Sequence, residues 1–493
     1  MDFSRREFLL GLAAAGVADR DWFGWRSAQR DALNPARGRS RTDVAVVGAG
    51  FAGLASARAL AAAGRDVLVL EARERVGGRT LNQPLPGGGV IEVGGQWAGP
   101  TQDRLLEIAR ELRVDTYPTY DSGDYVDYRD GERHTYSGRI PKHDLFGSLE
   151  AGVAMARLNR MARSVPLEAP WTAARALEWD SQTFQTWMDE HLYTGGARHL
   201  LQLAIEAVFS VQPRDVSLLH VLFYIHSGGN LDNLVNTTGG AQAWRFAGGS
   251  QLVAIRMAEQ LAPRVHLASP VLHIEQDRAG VIIHGEGYAV RAERAIVAVP
   301  PALAGRIRYT PALPGLRDQL TQRMPLGTVI KVQCVYPKPF WREQGLAGQA
   351  TSDVGPVKLA YDNSPPDTHV GVLMGFMEST DGRVYGEKTR DERRAATIEC
   401  FARYFGEEAR APIEYIERNW SAEEWSRGGY AGFFAPGGWT DYGPALRAPV
   451  GRIHWAGTET ATVWNGYIDG AIRSGERAAA EVLPLLQPAS MAG

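Results

Sequence analysis

The chain has 493 residues, too many for one ordinary core, so two domains are expected. Its 53 basic and 56 acidic side chains leave a formal charge of −3, which removes the electrostatic case for nucleic acid as a partner. The only two cysteines, Cys334 and Cys400, stand far apart and outside any CxxC or Cys/His cluster, so neither a metal site nor a disulfide framework is expected. In chain order, Ser4-Arg5-Arg6-Glu7-Phe8-Leu9 is a twin-arginine pattern, followed by a weakly apolar stretch over residues 9–18 and the cleavable-looking end Gly16-Val17-Ala18. It predicts export of the folded protein by the twin-arginine machinery to the periplasm or beyond, with residues 1–41 as signal and polar linker; the alternative is a chance Arg-Arg before an alanine-rich helix and a cytoplasmic protein. No apolar run is long enough to span a bilayer.

Residues 43–71 read as strand, glycine turn, helix and second strand. Val44-Ala45-Val46-Val47 is the first strand, Gly48-Ala49-Gly50-Phe51-Ala52-Gly53 the turn and helix start, and Val67-Leu68-Val69-Leu70 delivers Glu71. In such a unit Gly48 makes the tight turn, Gly50 admits a pyrophosphate and Gly53 lets helix and strand pack, while the helix N-terminus, with Ala52 in its first turn, faces the phosphates. Glu71 is placed to accept from a ribose hydroxyl and would repel a 2′-phosphate, which leaves NAD or FAD. Arg73, Gly77-Gly78 and Arg79 follow, suited to neutralising a pyrophosphate and to close passage of the chain.

Beyond this unit, Glu92-Val93-Gly94-Gly95-Gln96-Trp97 breaks a strand into glycines ahead of a helix over 103–112. Polar residues with spaced tyrosines over 117–140 predict short antiparallel strands. Residues 145–225 carry helical apolar spacing (Leu200, Leu203, Ala204, Ala207, Val208) and are assigned to a second domain. A second glycine passage, Gly239-Gly240 and Gly248-Gly249-Ser250, precedes the helix Gln251–Leu261, then strands at 265–267, 271–274 and 281–284. Residues 295–299 predict a buried strand halted by Pro300-Pro301, 325–375 further strands, 391–406 a charged helix, 453–456 a last strand and 468–483 a closing helix.

Several of these segments, in order, resemble the flavin-dependent monoamine oxidases and polyamine oxidases. They are the glycine turn with Glu71, Gly77-Gly78-Arg79-Thr80, Gly94-Gly95 with Gly99-Pro100-Thr101-Gln102, Gly239-Gly240-Ala241-Gln242 with Gly248-Gly249-Ser250, and Val299-Pro300-Pro301. The series continues with residues 325–331, Phe340-Trp341, Trp420, Gly429-Tyr430, Trp455-Ala456-Gly457-Thr458-Glu459-Thr460-Ala461 and Trp464-Asn465-Gly466-Tyr467. The resemblance, over about residues 42–485, implies an α/β fold in which a discontinuous Rossmann-like FAD-binding domain of the GR2 type interleaves with an α+β substrate domain. The expected FAD parts are 42–116, 236–320 and 420–485, and the substrate parts 117–235 and 321–419.

The resemblance also implies roles. Glu71 binds ribose, Arg73 and Arg79 lie near the pyrophosphate, and Gly94, Gly95 and Gln96, with Trp97 beside them, line the flavin. Val271 meets the adenine through its backbone, while Gly457, Thr458 and Glu459 lie at the FAD phosphates. Tyr467 and Ile468 open the final helix towards the flavin, and Trp420 packs beside it. Lys331 holds a water against the flavin; a lysine inside the apolar run 328–332 is costly without such a role. Tyr430 and Tyr467 form an aromatic sleeve for the amine nitrogen. Gly429 stands where mammalian relatives carry the flavin on a cysteine, which predicts noncovalent FAD. The chain stops at Gly493 without those relatives' membrane helix, which predicts a soluble enzyme and leaves room for a homodimer.

The expected reaction is oxidation of a primary or secondary amine by O₂, to an imine that hydrolyses to aldehyde and ammonia (or amine), with H₂O₂. No side chain is required as a strong base. The rivals are an L-amino-acid oxidase, disfavoured because Gln96-Trp97-Ala98 offers no carboxylate-gripping arginine, a flavin-dependent desaturase or isomerase, and a protein that only binds FAD. Phe209, Phe223, Tyr224 and Trp244 suggest an apolar or aromatic substrate, whereas Glu206 or Asp232 would suit a polyamine.

Overall fold

The computed structural model describes residues 41–85, 88–138 and 144–487, so the twin-arginine segment lies outside the described residues. Arg41–Val47 and Val67–Leu70 are parallel neighbours, with Val44 opposite Val67 and Val47 opposite Leu70, and the helix Phe51–Ala62 connects them. Val44 to Val47 and Val67 to Leu70 are all buried. Helices or further strands cover both faces, which is why each strand reads as an unbroken apolar run.

One sheet of eight strands grows from this pair. Its order is Arg308–Thr310, Val271–Gln276, Val281–Gly285, Tyr288–Val297, Arg41–Val47, Val67–Leu70 and Val265–His266, with Ile453–Trp455 paired to the end of Tyr288–Val297. Strands from three distant stretches of chain thus share one sheet. The buried strand expected at 295–299 is the end of a longer one. Tyr288 to Ala292 pair antiparallel with Val281–Gly285 and alternate in burial, whereas residues 294–297 run parallel beside Arg41–Val47 and are buried at Ala295, Ile296 and Val297. Only the second half carries the continuous apolar run.

A second sheet has seven strands, in the order Glu414–Asn419, Val329–Tyr336, Gly371–Glu378, Leu359–Asp362, Leu346–Ser352, Asp124–Arg129 and Glu132–Tyr136. Val329–Tyr336 and Gly371–Glu378 are antiparallel and buried at every position. Val329 lies opposite Glu378 and Lys331 opposite Phe376. The two-residue period puts these four side chains on one face. Helices Leu145–Ala162, Gly195–Phe209 and Leu218–Ser227 build a separate apolar core around Leu158, Phe184, Leu222 and Trp439. The architecture is therefore a doubly covered α/β sheet joined to an α+β unit. No described helix is long and apolar enough to cross a membrane.

The chain's last described long helix, Ile468–Val482, lies directly on Phe51–Ala62. A Cβ added at Gly475 would come within 2.1 Å of the Ala52 carbonyl oxygen. Backbone cannot yield as a flexible side chain would. Gly475→Val should therefore lower stability by at least ~1–3 kcal/mol, the usual cost of overpacking. Thermal unfolding checks this, and an unshifted midpoint would mean that the helices separate without penalty.

Candidate active site

The N-termini of these two helices meet at a cavity of about 140 Å³, whose wall includes Phe51, Ala52, Ile468 and Ala471. No side chain caps either helix. Their first-turn N–H groups are left for an anion, which the positive ends of both dipoles also favour. The turn glycines divide the work. A Cβ at Gly53 would lie 1.9 Å from the Gly48 carbonyl oxygen, so Gly53 serves packing; a Cβ at Gly50 would meet only the Gly78 Cα, at 3.9 Å, so Gly50 leaves space for a ligand.

Glu71, buried at the end of Val67–Leu70, accepts the N–H of Ala49 at 2.7 Å and of Arg73 at 3.0 Å. A carboxylate has further lone pairs for a hydroxyl. The Ser269 N–H donates to the Glu71 carbonyl at 2.8 Å, which brings the start of Val271–Gln276 alongside. Arg73 instead donates to Ser426 Oγ at 2.7 Å, and it does not reach the wall of the 140 Å³ cavity. Gly48, Gly50, Gly53, Glu71, Gly78 and Val271 also lie outside that wall, around the turn and the strand ends.

Arg79 does line it. Its guanidinium donates to both Glu459 carboxylate oxygens, at 2.6 and 3.2 Å, and to the Tyr430 carbonyl at 2.7 Å. Glu459 is fully buried behind Arg79 and also accepts the Gly432 N–H at 3.1 Å. Burial opposes its charge, but Arg79 outweighs this and holds the carboxyl below its ordinary range. Glu459 thus reaches the cavity only through Arg79. Gly457 and Thr458 are in the wall, and Thr458 Oγ donates to the Tyr467 carbonyl at 2.8 Å. Trp420 lines it too, its indole N–H fixed on the Val93 carbonyl at 2.8 Å.

A second cavity of about 530 Å³ adjoins the first, and the two share Gly94, Gly95, Lys331, Phe376, Tyr430, Gly466, Tyr467 and Ile468. Lys331 Nζ donates to the Gly94 carbonyl at 2.9 Å and to Gln96 Oε1. Gln96 in turn donates to Asn363 Oδ1 at 2.8 Å, and Asn363 to Gln333 Oε1 at 2.7 Å. Burial lowers the Lys331 pKa to about 7, with Glu92 opposing the shift and Arg245 adding to it. Gln96 and Trp97 belong to the larger wall, where the Trp97 ring meets Tyr361 edge-on at 5.2 Å. Tyr467 faces Tyr224, with ring centroids 6.0 Å apart.

The larger wall also corrects the sequence reading. Of the four aromatics expected there, only Tyr224 is present. Phe209 packs behind it at 4.5 Å and Phe223 against Trp439 at 4.7 Å, both in the helical core, while Trp244 sits in a two-strand pairing with Pro118. Of the two acids, Asp232 is in the wall; Glu206 accepts from Gln202 and Gln212, each at 2.8 Å. The stripe Leu200, Leu203, Ala204, Ala207 and Val208, spaced like core residues, faces the cavity. Glu378, Tyr361 and Phe376 were missed. Glu378 ends an apolar run as conspicuously as Lys331 interrupts one, which was the available signal. Its Oε1 accepts the Tyr430 hydroxyl at 2.6 Å. Burial foremost pushes this carboxyl up to about 8, against the hydrogen bond from Tyr430.

These features fit an extended dinucleotide: two uncapped helix starts at a cavity, open space at Gly50, and a buried acid at the far strand end. The chain matches the family of flavin containing amine oxidoreductases over residues 51–483. It is 43% identical to a candidate flavin-containing monoamine oxidase of Mycobacterium tuberculosis, covering 90% of this chain and 97% of that one. It is 40% identical to an L-amino acid dehydrogenase of Synechocystis, covering 91% and 96%. The structure of a wild-type putrescine oxidase bound to putrescine superposes with a TM-score of 0.87 at 36% identity, covering 90% of this chain and 99% of that one.

Removing Arg79 would strand the Glu459 carboxylate in the interior. Arg79→Met should cost ~3–5 kcal/mol in urea unfolding, as broken buried pairs do, and Glu459→Gln in the same chain should return part of it. Additive single and double losses would refute the coupling.

Proposed function

The chain belongs to the flavin containing amine oxidoreductases, with FAD as cofactor, and on that premise we propose that it oxidises a primary or secondary amine at the expense of O₂. In this reading the products are an imine, hydrolysed to aldehyde and ammonia or a smaller amine, and H₂O₂. The observation that carries it is the shared wall: Lys331, Tyr430 and Tyr467 stand at the junction of a cavity suited to a dinucleotide and one suited to an organic substrate.

FAD, when bound, supplies the two-electron chemistry. The chain's own residues prepare the substrate for it. The faces of Tyr430 and Tyr467 attract the amine end with a directional preference of about 1 kcal/mol. Arg79 fixes the Tyr430 backbone from behind. Lys331, held by Gly94 and Gln96, keeps a donor at the junction. Leu203, Ala204 and Ala207 exclude water from the far wall.

An L-amino acid is the second reading, prompted by the Synechocystis relative. Against it, the described residues of the larger wall include no arginine to hold a carboxylate, and they include the acid Asp232. Anaerobic bleaching of the holoenzyme by tyramine, benzylamine, cyclohexylamine and putrescine, against phenylalanine, separates the two. Amines should bleach it; bleaching by phenylalanine alone would transfer the activity to amino acids.

Gly429, immediately before Tyr430 in the wall, offers no nucleophile to attach a flavin. Acid or heat denaturation should release all of the yellow colour into the supernatant. Colour that stays with the precipitated chain would overturn noncovalent binding.

A further inference from the structure

We propose that Glu378 is the group that takes the proton a substrate ammonium must lose before oxidation, a role that rests on the amine reading above. An aliphatic amine in water is an ammonium with a pKa of roughly 10. Its nitrogen lone pair is available only after that proton leaves. In a largely apolar cavity closed by Tyr430 and Tyr467, the acceptor has to come from the wall.

The wall offers few candidates. Lys331 already donates to Gly94 and Gln96. Asp232 is exposed at the far side and held by Asn159 at 3.3 Å. Glu378 is 7% exposed, lies on the same sheet face as Lys331, and is bonded to the hydroxyl of Tyr430. The carboxyl is therefore held at the hydroxyl edge of Tyr430, in the wall of the same cavity.

The groups around Glu378 tune it for the task. Tyr430 donates to it, and Tyr361 stands on the neighbouring strand. Glu206 repels its charge, and Lys358 opposes that repulsion while tied to Glu206 at 3.4 Å and to Asp381 at 2.8 Å. The result is a carboxyl near 8, much closer to an amine than an ordinary carboxylate is, and such matching favours proton transfer. In the step itself an ammonium N–H bond breaks and its electron pair stays on nitrogen. An O–H bond forms on Glu378, and no electron changes hands.

The test is anaerobic stopped-flow reduction of the holoenzyme by whichever of the four amines above acts fastest, between pH 6 and 10.5. Reduction of the parent should rise with pH through about 8 as the carboxylate forms. Glu378→Gln keeps the shape and an acceptor for Tyr430, so flavin content and thermal midpoint should hold. Its reduction at pH 8 should fall on the order of a hundredfold, the scarcity of free amine at that pH, and recover near pH 10. Glu378→Asp should regain part of the loss at pH 8. A Glu378→Gln rate and pH profile equal to the parent's would sink this inference and leave the amine reading standing. A parent that none of the amines reduces would remove both.

Discussion

The site depends on one packing contact between segments more than 400 residues apart. Phe51–Ala62 and Ile468–Val482 touch backbone to backbone, because Gly475 carries no side chain where the Ala52 carbonyl passes. That contact brings two uncapped helix starts to one cavity. Each contributes a partial positive charge of roughly half an electron, which falls off within a turn. Two starts converging on one cavity form an anion site that neither helix makes alone. Tyr467 immediately precedes the second helix without capping it, and Thr458 donates to the Tyr467 carbonyl.

The second frame is the strand pair Val329–Tyr336 and Gly371–Glu378. Both are buried throughout, yet their shared face carries Lys331 and Glu378. Burying either charge is expensive, and each responds by moving its pKa towards neutrality, Lys331 down and Glu378 up. Opposed shifts of this kind on one cavity wall are what proton chemistry near pH 7 uses. The hydrogen bonds differ in kind. Lys331 is satisfied by backbone and amide oxygens, whereas Glu378 accepts from the hydroxyl of Tyr430.

The sequence showed the nucleotide half clearly and the substrate half poorly, for a physical reason. Gly48, Gly50 and Gly53 stand at fixed spacing because a tight turn, an open approach and a close helix–strand contact each exclude a side chain, and backbone requirements leave fixed residue types behind. The substrate cavity is assembled from side chains of several distant elements, and its lining has no local signature. Leu203, Ala204 and Ala207 looked like core because a cavity wall and a core wall are apolar in the same period. Phe209 and Phe223, on adjoining helices, turned into the core, since an aromatic in a helix says nothing of which face meets the hole. Arg73 and Glu459 act on other protein groups: Arg73 pairs with Glu71 and donates to Ser426, and Glu459 pairs with Arg79, 380 residues away.

The two halves also differ in what they can vary. The dinucleotide frame rests on backbone contacts, where a single Cβ is excluded. The substrate wall rests on side chains at the ends and faces of the strands, where a change of one residue alters charge or volume without disturbing the sheet. Glu378 sits at such a position, the last residue of its strand, with the fold around it already complete. The Tyr430 hydroxyl donates to it, and Glu206 and Lys358 act on its charge, so a change at Glu378 is felt by those side chains rather than by the strand pairing. A change at that position therefore alters the larger cavity, while the smaller one, whose wall does not include Glu378, keeps its geometry.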